Sequence, residues 1–196
     1  MVRILCTYFI DWAGKVTIII PTELIYHQYA IQKQGSVVYC AHPDVERLRC
    51  DHRMVGALVG TLPRLPLQNT FHGLPLLLMP EEVTLALSKN IIVIESWEYP
   101  RTAKDRIKCS VYAYLWNLGF YITRGTKFGG DFLTYPGDPM RFHSHCIVEA
   151  VERDDEIKAI DLIGKGRLAT NVKKTFVLAS VTEKREEVFT LSWAGF

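Results

Sequence analysis

The sequence predicts an α+β protein: a small N-terminal α+β domain followed by a domain in which a mixed sheet carries two helices. Two observations carry this prediction. Short apolar runs of strand type alternate with segments of helical periodicity in both halves, and the polar stretch YPRTAKD separates the halves. A hydrophobic content of 48% excludes a disordered chain. We therefore expect domains at residues 1–98 and 106–196.

The N-terminal segment MVRILCTYFIDWAGKVTIIIP is apolar enough to raise the question of a signal or membrane segment. Asp11 and Lys15 interrupt the apolar run, and no small-residue cleavage site follows it. The segment is therefore interpreted as strand-forming core, and no association with a membrane is expected.

The rest of the first domain alternates between helices and strands. PDVERLRCDHRM has helical spacing, ALVG is typical of a short strand, and the loop TLPRLPLQN follows. The apolar run GLPLLLMP ends at Pro80, which with Glu81 and Glu82 suits the first turn of a helix over EEVTLALSKN. Asn90 closes that helix, and IIVIE predicts a strand. No catalytic constellation is visible in this half.

The second domain begins with a helix. Thr102 and Asp105 have the spacing of a capping box, and Gly119 supplies a left-handed cap at the end. Between them, apolar residues at helical spacing form one face that belongs to the core, namely Ile107, Val111, Leu115 and Leu118.

Strand-type segments then follow at FYIT, DFLTY, FHSHCIVEAV, TFVLASV and EVFTLSW. A second helix is predicted across KAIDLIGKGRLAT, between the third and fourth of them. The order of a helix, hairpin strands, a helix and hairpin strands indicates a small mixed or antiparallel sheet carrying two helices.

The charge and the cysteine content exclude few classes of function. The net charge is +2, and no block of Lys or Arg indicates that the chain binds nucleic acid. The cysteines are odd in number and form no C-x-x-C motif, which indicates free thiols in a reducing compartment: Cys6, Cys40, Cys50, Cys109 and Cys146.

Three residues form the candidate site. Tyr135 and His143 stand eight positions apart, and Lys174 follows the histidine by 31 residues. Tyr135 is predicted at the end of a strand, His143 at the start of the next, and Lys174 at the opening of a later one, where sites are usually built. A proton acceptor, a proton donor and a fixed positive charge are the set that breaks an RNA phosphodiester without a metal. The chain is therefore a candidate ribonuclease.

The tyrosine needs help to act as a base. A solution tyrosine has a pKa of about 10. Tyr135 therefore either has its pKa lowered by a nearby cation such as Lys174, or acts mainly by positioning the attacking hydroxyl.

Other polar residues near the triad have structural interpretations. Asp131, Asp138 and Arg141 are expected to fix the turn by hydrogen bonds between side chain and backbone. His145 shares a strand face with His143, but an H-x-H pair alone is a weak metal signal, and we interpret His145 as structural.

Two C-x-H pairs are candidate zinc ligands, Cys40 with His42 and Cys50 with His52. Their irregular spacing is not that of a zinc motif, and helix and strand periodicity explain the region. We therefore expect no metal and no cofactor.

Longer segments around the triad resemble a known family. KFGGDFLTYPGDPMRFHSH, DLIGKGRLATNVKKTFVLAS and the terminal LSWAGF resemble the catalytic domain of the tRNA-splicing endonuclease. VGALVGTLPRLPLQNTFHGLPLLLMPEE resembles the N-terminal domain of its catalytic subunit that cuts the 3′ splice site. The resemblance covers residues 45–196, whereas residues 1–36 match nothing in the family.

The resemblance implies roles for the three residues. Tyr135 would be the general base on the ribose 2′-hydroxyl, His143 the general acid to the 5′-oxygen, and Lys174 the stabiliser of the charged phosphorane. The products would be a 2′,3′-cyclic phosphate and a 5′-hydroxyl.

The resemblance also implies partners and a place of action. The substrate would be precursor tRNA, and the chain would join a second catalytic subunit and two structural subunits, one of them paired with it directly. Arg167 and Trp193 stand where the family has an arginine and a tryptophan that clamp a flipped nucleotide. A nuclear location is implied by the family, although no basic localisation run is visible.

Two other functions remain open at this point. One is the catalytic subunit that cuts the 5′ splice site, which shares the triad but is not expected to carry GLPLLLMPEE. The other is a non-catalytic subunit of the same fold that binds RNA or acts as a scaffold. Such a subunit has no chemical need for all three triad residues.

Overall fold

The computed structural model describes residues 7–10, 16–19, 29–34, 37–40, 44–58, 76–182 and 185–193. The chain begins with two short strands, β1 (Thr7–Ile10) and β2 (Val16–Ile19), which pair antiparallel. The expectation that the apolar N-terminal segment forms strands is confirmed for these two stretches.

A five-stranded sheet with two helices follows. In chain order its elements are β3 (Tyr29–Gln34), β4 (Val37–Cys40), α1 (Asp44–Cys50), β5 (Ala57–Leu58), β6 (Leu76–Leu78), α2 (Pro80–Ser88) and β7 (Ile92–Val93). The strand order is β5-β6-β4-β3-β7, antiparallel except where β3 pairs with β7. The predicted helices and strands of this half are confirmed with shorter bounds, and the predicted loop TLPRLPLQN lies outside the described residues.

The start of α2 shows why this helix forms where it does. Pro80 occupies the first turn, where its missing N–H costs nothing. The Glu82 carboxylate turns back and accepts hydrogen bonds from the backbone N–H of Met79 at 2.8 Å and of Gly56 at 3.0 Å. Asn90, predicted to close the helix, has a left-handed backbone with φ 56°.

The second half begins with α3 (Ala103–Asn117) and continues with a second sheet. The predicted capping box is present, because the Thr102 side chain accepts from Asp105 N at 3.1 Å and the Asp105 carboxylate accepts from Thr102 N at 2.9 Å. The remaining elements are β8 (Tyr121–Arg124), β9 (Phe132–Tyr135), β10 (Cys146–Ala150), α4 (Ala159–Asn171), β11 (Thr175–Thr182) and β12 (Arg185–Leu191).

The second sheet is mixed, as predicted. Its strand order is β12-β11-β10-β9-β8, and β10 and β11 are parallel while the other neighbours are antiparallel. The parallel pair requires a crossover, which α4 provides. With α3, this gives the two helices expected for the domain.

The two faces of this sheet belong to different apolar clusters. One face packs with α3 in the main core and contributes Phe132, Val148 and Val177. The alternate positions Leu133, Ile147 and Phe176 belong to a smaller cluster that also contains Ala169 of α4.

The main core runs through both halves of the chain. Leu48 of α1 and Val83 of α2 lie in the same cluster as Tyr112 of α3 and Phe132 of β9. Tyr112 and Phe132 meet edge to face, with ring centroids 5.6 Å apart. The two halves are therefore packed on one another, while the boundaries at residues 1–98 and 106–196 stay a prediction.

Glu82 is fully buried in this shared core. Burial raises its pKa from 4.5 to about 7, although the hydrogen bonds from Met79 and Gly56 oppose the shift. Its negative charge in turn contributes, after burial itself, to raising the pKa of the Tyr112 hydroxyl. A carboxylate is thus held at the junction of the two halves in a medium that disfavours its ionisation.

We expect Glu82 to make the protein less stable as the pH rises. A group whose folded pKa is raised contributes stability that is present below pH 4.5 and lost as the pH passes through about 7. The full difference is about 3 kcal/mol. Urea unfolding at pH 4.5 to 8 should therefore show wild type losing stability relative to Glu82→Gln, which cannot ionise.

For each protein, the change in the free energy of unfolding with pH is measured, so that any pH-independent loss of stability caused by the substitution cancels. Parallel curves for wild type and Glu82→Gln would show that this carboxyl does not titrate in the folded state over this range.

Candidate functional site

The candidate site lies at one end of the second sheet. Thr134, Cys146 and Thr175 are direct neighbours across β9, β10 and β11. The end of β9 and the starts of β10 and β11 therefore meet at the same edge. Tyr135 follows Thr134 and Lys174 precedes Thr175, which brings both residues to that edge.

Tyr135 and Lys174 also lie on the same face. Tyr135 packs against the smaller apolar cluster, together with Phe128. The Lys174 ammonium lies 5.6 Å from the centre of the Phe128 ring. The structure therefore brings these two predicted residues to the α4 side of the sheet edge.

Tyr135 is partly buried, and its hydroxyl has one fixed partner. Thr123 Oγ1 on the neighbouring strand β8 donates to the Tyr135 hydroxyl oxygen at 3.2 Å. This bond restricts where the phenol points and leaves its own hydrogen free to go to another acceptor.

His143 is not at the start of a strand, and here the prediction was wrong. The next strand begins at Cys146, and His143 lies on the loop before it with an exposed side chain. The cause is the preceding turn: the backbone N–H groups of Arg141 and Phe142 both donate to Asp138 O, at 2.8 and 3.0 Å. Sheet pairing resumes only at His145, whose N–H donates to Thr134 O at 2.9 Å.

Lys174 joins strand β11 to this loop. Its ammonium donates to the backbone oxygen of Ser144, the residue after His143, at 2.8 Å. Partial burial lowers the pKa of the Lys174 amine from its usual range. The cation is thus held beside the loop that carries His143, in surroundings that strengthen its electrostatic effect.

Asp138 organises the turn, as predicted. Its Oδ1 accepts from the N–H of Met140 at 2.8 Å and from the Arg49 guanidinium at 2.9 Å. Asp131, for which a similar role was predicted, accepts from Ala150 N at 3.0 Å and pairs with Lys108. Arg141 contributes to the turn through its backbone N–H.

An open cavity of about 540 Å³ lies beside these residues. It is lined by His145, Thr170, Lys173, Lys174, Thr175, Leu191, Ser192 and Trp193. His145 was interpreted as structural, yet its side chain is exposed and borders this cavity. Tyr135 and His143 are not among the residues that line it.

Arg167 and Trp193, the predicted nucleotide clamp, are in contact with each other. The guanidinium carbon lies 5.1 Å from the centre of the indole ring, and Trp193 is 38% exposed. A base between them would need two packing distances, roughly 7 Å in all. The two side chains therefore lie too close for a base to fit between them, and a base would have to separate them or use the outer face of the indole.

In the described part of the chain, no group of three or more His, Cys, Asp or Glu side chains is placed to hold a metal ion. His42, one member of the zinc hypothesis, lies outside the described residues. Among the described helices, none has the length and apolar character needed to cross a bilayer.

Sequence reasoning missed Arg49, which reaches the loop from the other half of the chain. It lies 89 residues before Asp138, and no motif connects the two. The helical spacing around Arg49 predicts a helix, but nothing in it indicates which side chain contacts the loop.

Two family models match the chain, one in each half. The tRNA intron endonuclease catalytic C-terminal domain matches residues 106–189, and the TSEN34-like N-terminal domain matches residues 34–96. These matches correspond to the two halves that pack around the common core. Residues 106–189 therefore have the sequence of a catalytic domain of the tRNA intron endonuclease family.

Relatives come from animals, fungi and archaea. The mouse tRNA-splicing endonuclease subunit Sen34 is 42% identical over 102 residues, which are 52% of this chain and 32% of the mouse protein. A probable subunit sen34 from Schizosaccharomyces pombe is 26% identical over 261 residues, covering 78% of this chain and 92% of its own length. The tRNA-splicing endonuclease of Pyrobaculum islandicum is 41% identical over 86 residues, 43% of this chain and 47% of the archaeal protein. The chain thus spans about a third of the mouse relative.

We expect Lys174 to titrate below an ordinary lysine. Reductive methylation with ¹³C-formaldehyde labels lysine amines for NMR, and the Lys174 signal, identified by its loss in Lys174→Arg, should have a midpoint below about 10.4. The physical reason is partial burial, which disfavours the ammonium form. A midpoint at or above that of an ordinary lysine would show that the amine is fully solvated or paired with a carboxylate.

Proposed function

We propose that the protein is a metal-independent endoribonuclease subunit that cleaves precursor tRNA at the 3′ splice site. One observation carries the proposal: Lys174, which reaches the same sheet edge as Tyr135, is hydrogen-bonded to the residue that follows His143. This arrangement occurs within the segment that matches the catalytic domain of the family.

The reaction is an internal transesterification. The ribose 2′-oxygen attacks the adjacent phosphorus and passes its proton to the phenolate oxygen of Tyr135, while the bond from phosphorus to the 5′-oxygen breaks. His143 gives its proton to that leaving oxygen. The products are a 2′,3′-cyclic phosphate and a 5′-hydroxyl, so that no water is consumed and no bond to the enzyme forms.

Lys174 supplies the positive charge for this step. Negative charge grows on the non-bridging phosphate oxygens as the 2′-oxygen attacks, and a fixed cation nearby stabilises it. The ammonium is held by Ser144 O and is partly buried beside Phe128, so little reorganisation is needed when the charge develops. Its lowered pKa has the same origin as its electrostatic strength, namely reduced contact with water.

Tyr135 acts at the other side of the scissile group. The hydrogen bond from Thr123 restricts where the Tyr135 oxygen points. We assign this oxygen to the 2′-hydroxyl, from which it accepts the proton as the phenolate or which it aligns for attack as the phenol.

The exposed position of His143 suits a general acid. An imidazole in contact with solvent can take up a proton from water between turnovers. The loop before β10 presents it outward at the sheet edge, where an RNA strand has access.

The assignment to the 3′ splice site rests on the N-terminal half. The segment GLPLLLMPEE, which the resemblance connects with the 3′-cutting subunit, falls within the match to the TSEN34-like N-terminal domain.

We further propose that the chain works in a nuclear complex with a second catalytic subunit and two structural subunits. The relatives that are named as subunits of a tRNA-splicing endonuclease support an assembly. The net charge of +2 supports it as well, because a chain with so little positive charge gains from partner surfaces when it binds a polyanion.

Replacing the proposed general acid should stop cleavage at one splice site. In the assembled enzyme, His143→Ala should slow 3′ cleavage by roughly 10²- to 10⁴-fold, the usual contribution of a general acid, and leave 5′ cleavage unchanged. The measurement is the single-turnover rate at each intron end on labelled precursor tRNA, with subunit composition checked by mass. Retained 3′ cleavage would remove His143 from the mechanism. Loss of 5′ cleavage alone would assign the chain to the 5′ site.

The nucleophile and the lack of a metal requirement can be tested together. A 2′-deoxy substitution at the 3′ cut site should abolish cleavage, because the attacking oxygen is gone, whereas EDTA should leave the rate within about twofold of the untreated enzyme. Cleavage of the deoxy substrate would exclude attack by the 2′-oxygen. Inhibition by EDTA that zinc or magnesium reverses would show metal catalysis instead.

A further inference from the structure

An arginine from the N-terminal half reaches the loop that carries His143. Arg49 lies on α1, and its guanidinium donates to Asp138 Oδ1 at 2.9 Å and to Val55 O at 3.3 Å. The Arg49 side chain is 9% exposed and that of Asp138 is 29% exposed. The ion pair therefore spans the junction of the two halves and is mostly shielded from water.

Such a pair contributes little to folding by itself. Removing an arginine and a carboxylate from water costs several kcal/mol, and their attraction roughly offsets that cost. A shielded pair of this kind instead fixes the orientation of the carboxylate, because the planar guanidinium forms its hydrogen bonds in few geometries. The contact is therefore better suited to holding Asp138 in one place than to stabilising the chain.

Asp138 in turn fixes the loop through hydrogen bonds with its backbone. Its Oδ1 also accepts from Met140 N, and its backbone oxygen accepts from both Arg141 N and Phe142 N. The Phe142 ring lies over Gly137, where even an added Cβ would come within 2.5 Å of it. The segment from Asp138 to Phe142 is thus one closed turn, and His143 is the next residue.

We propose that Arg49 is a positioning residue for cleavage: through Asp138 it fixes the turn that places the His143 imidazole. This inference rests on the proposed function, in which His143 protonates the leaving oxygen. Lys174 holds the loop from the other side, through Ser144 O. The loop is then anchored on both flanks of the histidine, once by the N-terminal half and once by β11.

The N-terminal half thereby becomes part of the catalytic apparatus. Displacing a proton donor by about 1 Å costs as much as 10²-fold in rate. A contact that touches neither substrate nor reacting atoms can therefore control the chemical step through the placement of His143.

A substrate with a sulfur leaving atom distinguishes a misplaced general acid from a loss of folding or of RNA binding. When the 5′-oxygen at the 3′ cut site is replaced by sulfur, the leaving group departs as a thiolate and needs no proton, because thiols are much stronger acids than alcohols. Loss of the general acid then slows the oxygen substrate but hardly affects the sulfur substrate. Loss of folding or RNA binding slows both.

The experiment measures single-turnover rates on both substrates with the assembled enzyme. Arg49→Met keeps the length of the side chain and leaves Asp138 partly solvated; we expect a loss of about 10- to 100-fold on the oxygen substrate and less than about threefold on the sulfur substrate. Arg49→Lys, which keeps the charge but not the planar fork, should lie between wild type and Arg49→Met and serves as the readout where the methionine variant does not assemble.

Arg53→Met is the matched control. Arg53 also joins the two halves, since it donates to Trp116 O at 3.1 Å and lies 4.6 Å from the centre of that indole ring, but it contacts α3 and not the loop. Removing it should change the two rates by the same factor.

His143→Ala separates the two hypotheses. If the sulfur substrate does not restore the cleavage rate of this variant, the general-acid role in the proposed function is wrong. If it is rescued while the Arg49 variants are slow on both substrates, or normal on both, the positioning role is wrong. The positioning role is also wrong if the sulfur substrate rescues Arg53→Met as selectively as it rescues the Arg49 variants. Loss of any contact between the two halves would then misplace His143, and the contact of Arg49 would have no special role.

Discussion

The candidate site depends on the register of three strands. Because Thr134, Cys146 and Thr175 are neighbours across β9, β10 and β11, residues distant in sequence arrive at one sheet edge. The parallel pairing of β10 with β11 is essential to this, since an antiparallel partner would carry its first residues to the opposite edge. The α4 crossover that makes the pairing possible is thus as important for the site as the polar residues themselves.

Around that edge, the cation and the loop support each other. The Lys174 ammonium needs an acceptor because it is partly buried, and Ser144 O provides one. The same hydrogen bond holds the loop in front of β10. A change at Lys174 therefore has two consequences, the loss of a charge and the release of the segment next to His143.

Sequence predicted the elements of this fold well because their signals are local. The capping box at Thr102, the proline that begins α2 and the continuous apolar run in β11 each act within a few residues. The loop before β10 was harder, because FHSHCIVEAV is strand-like by composition while Asp138 diverts its first residues into a turn. Motif resemblance located Tyr135, His143 and Lys174, but their catalytic roles stay predictions. The burial of Glu82 and the contact of Arg49 with Asp138 depend on how two distant segments pack, which no local pattern encodes.

The most direct measurement is a structure of the assembled enzyme bound to precursor tRNA with a 2′-deoxy residue at the 3′ cut site. The account predicts that the scissile phosphate lies between the three side chains, with the His143 ring and the Lys174 ammonium within hydrogen-bond reach of different phosphate oxygens and the Tyr135 hydroxyl facing the 2′ carbon. A scissile phosphate in the cavity beside His145 and Lys173, with Tyr135 and His143 directed away from it, would contradict the account.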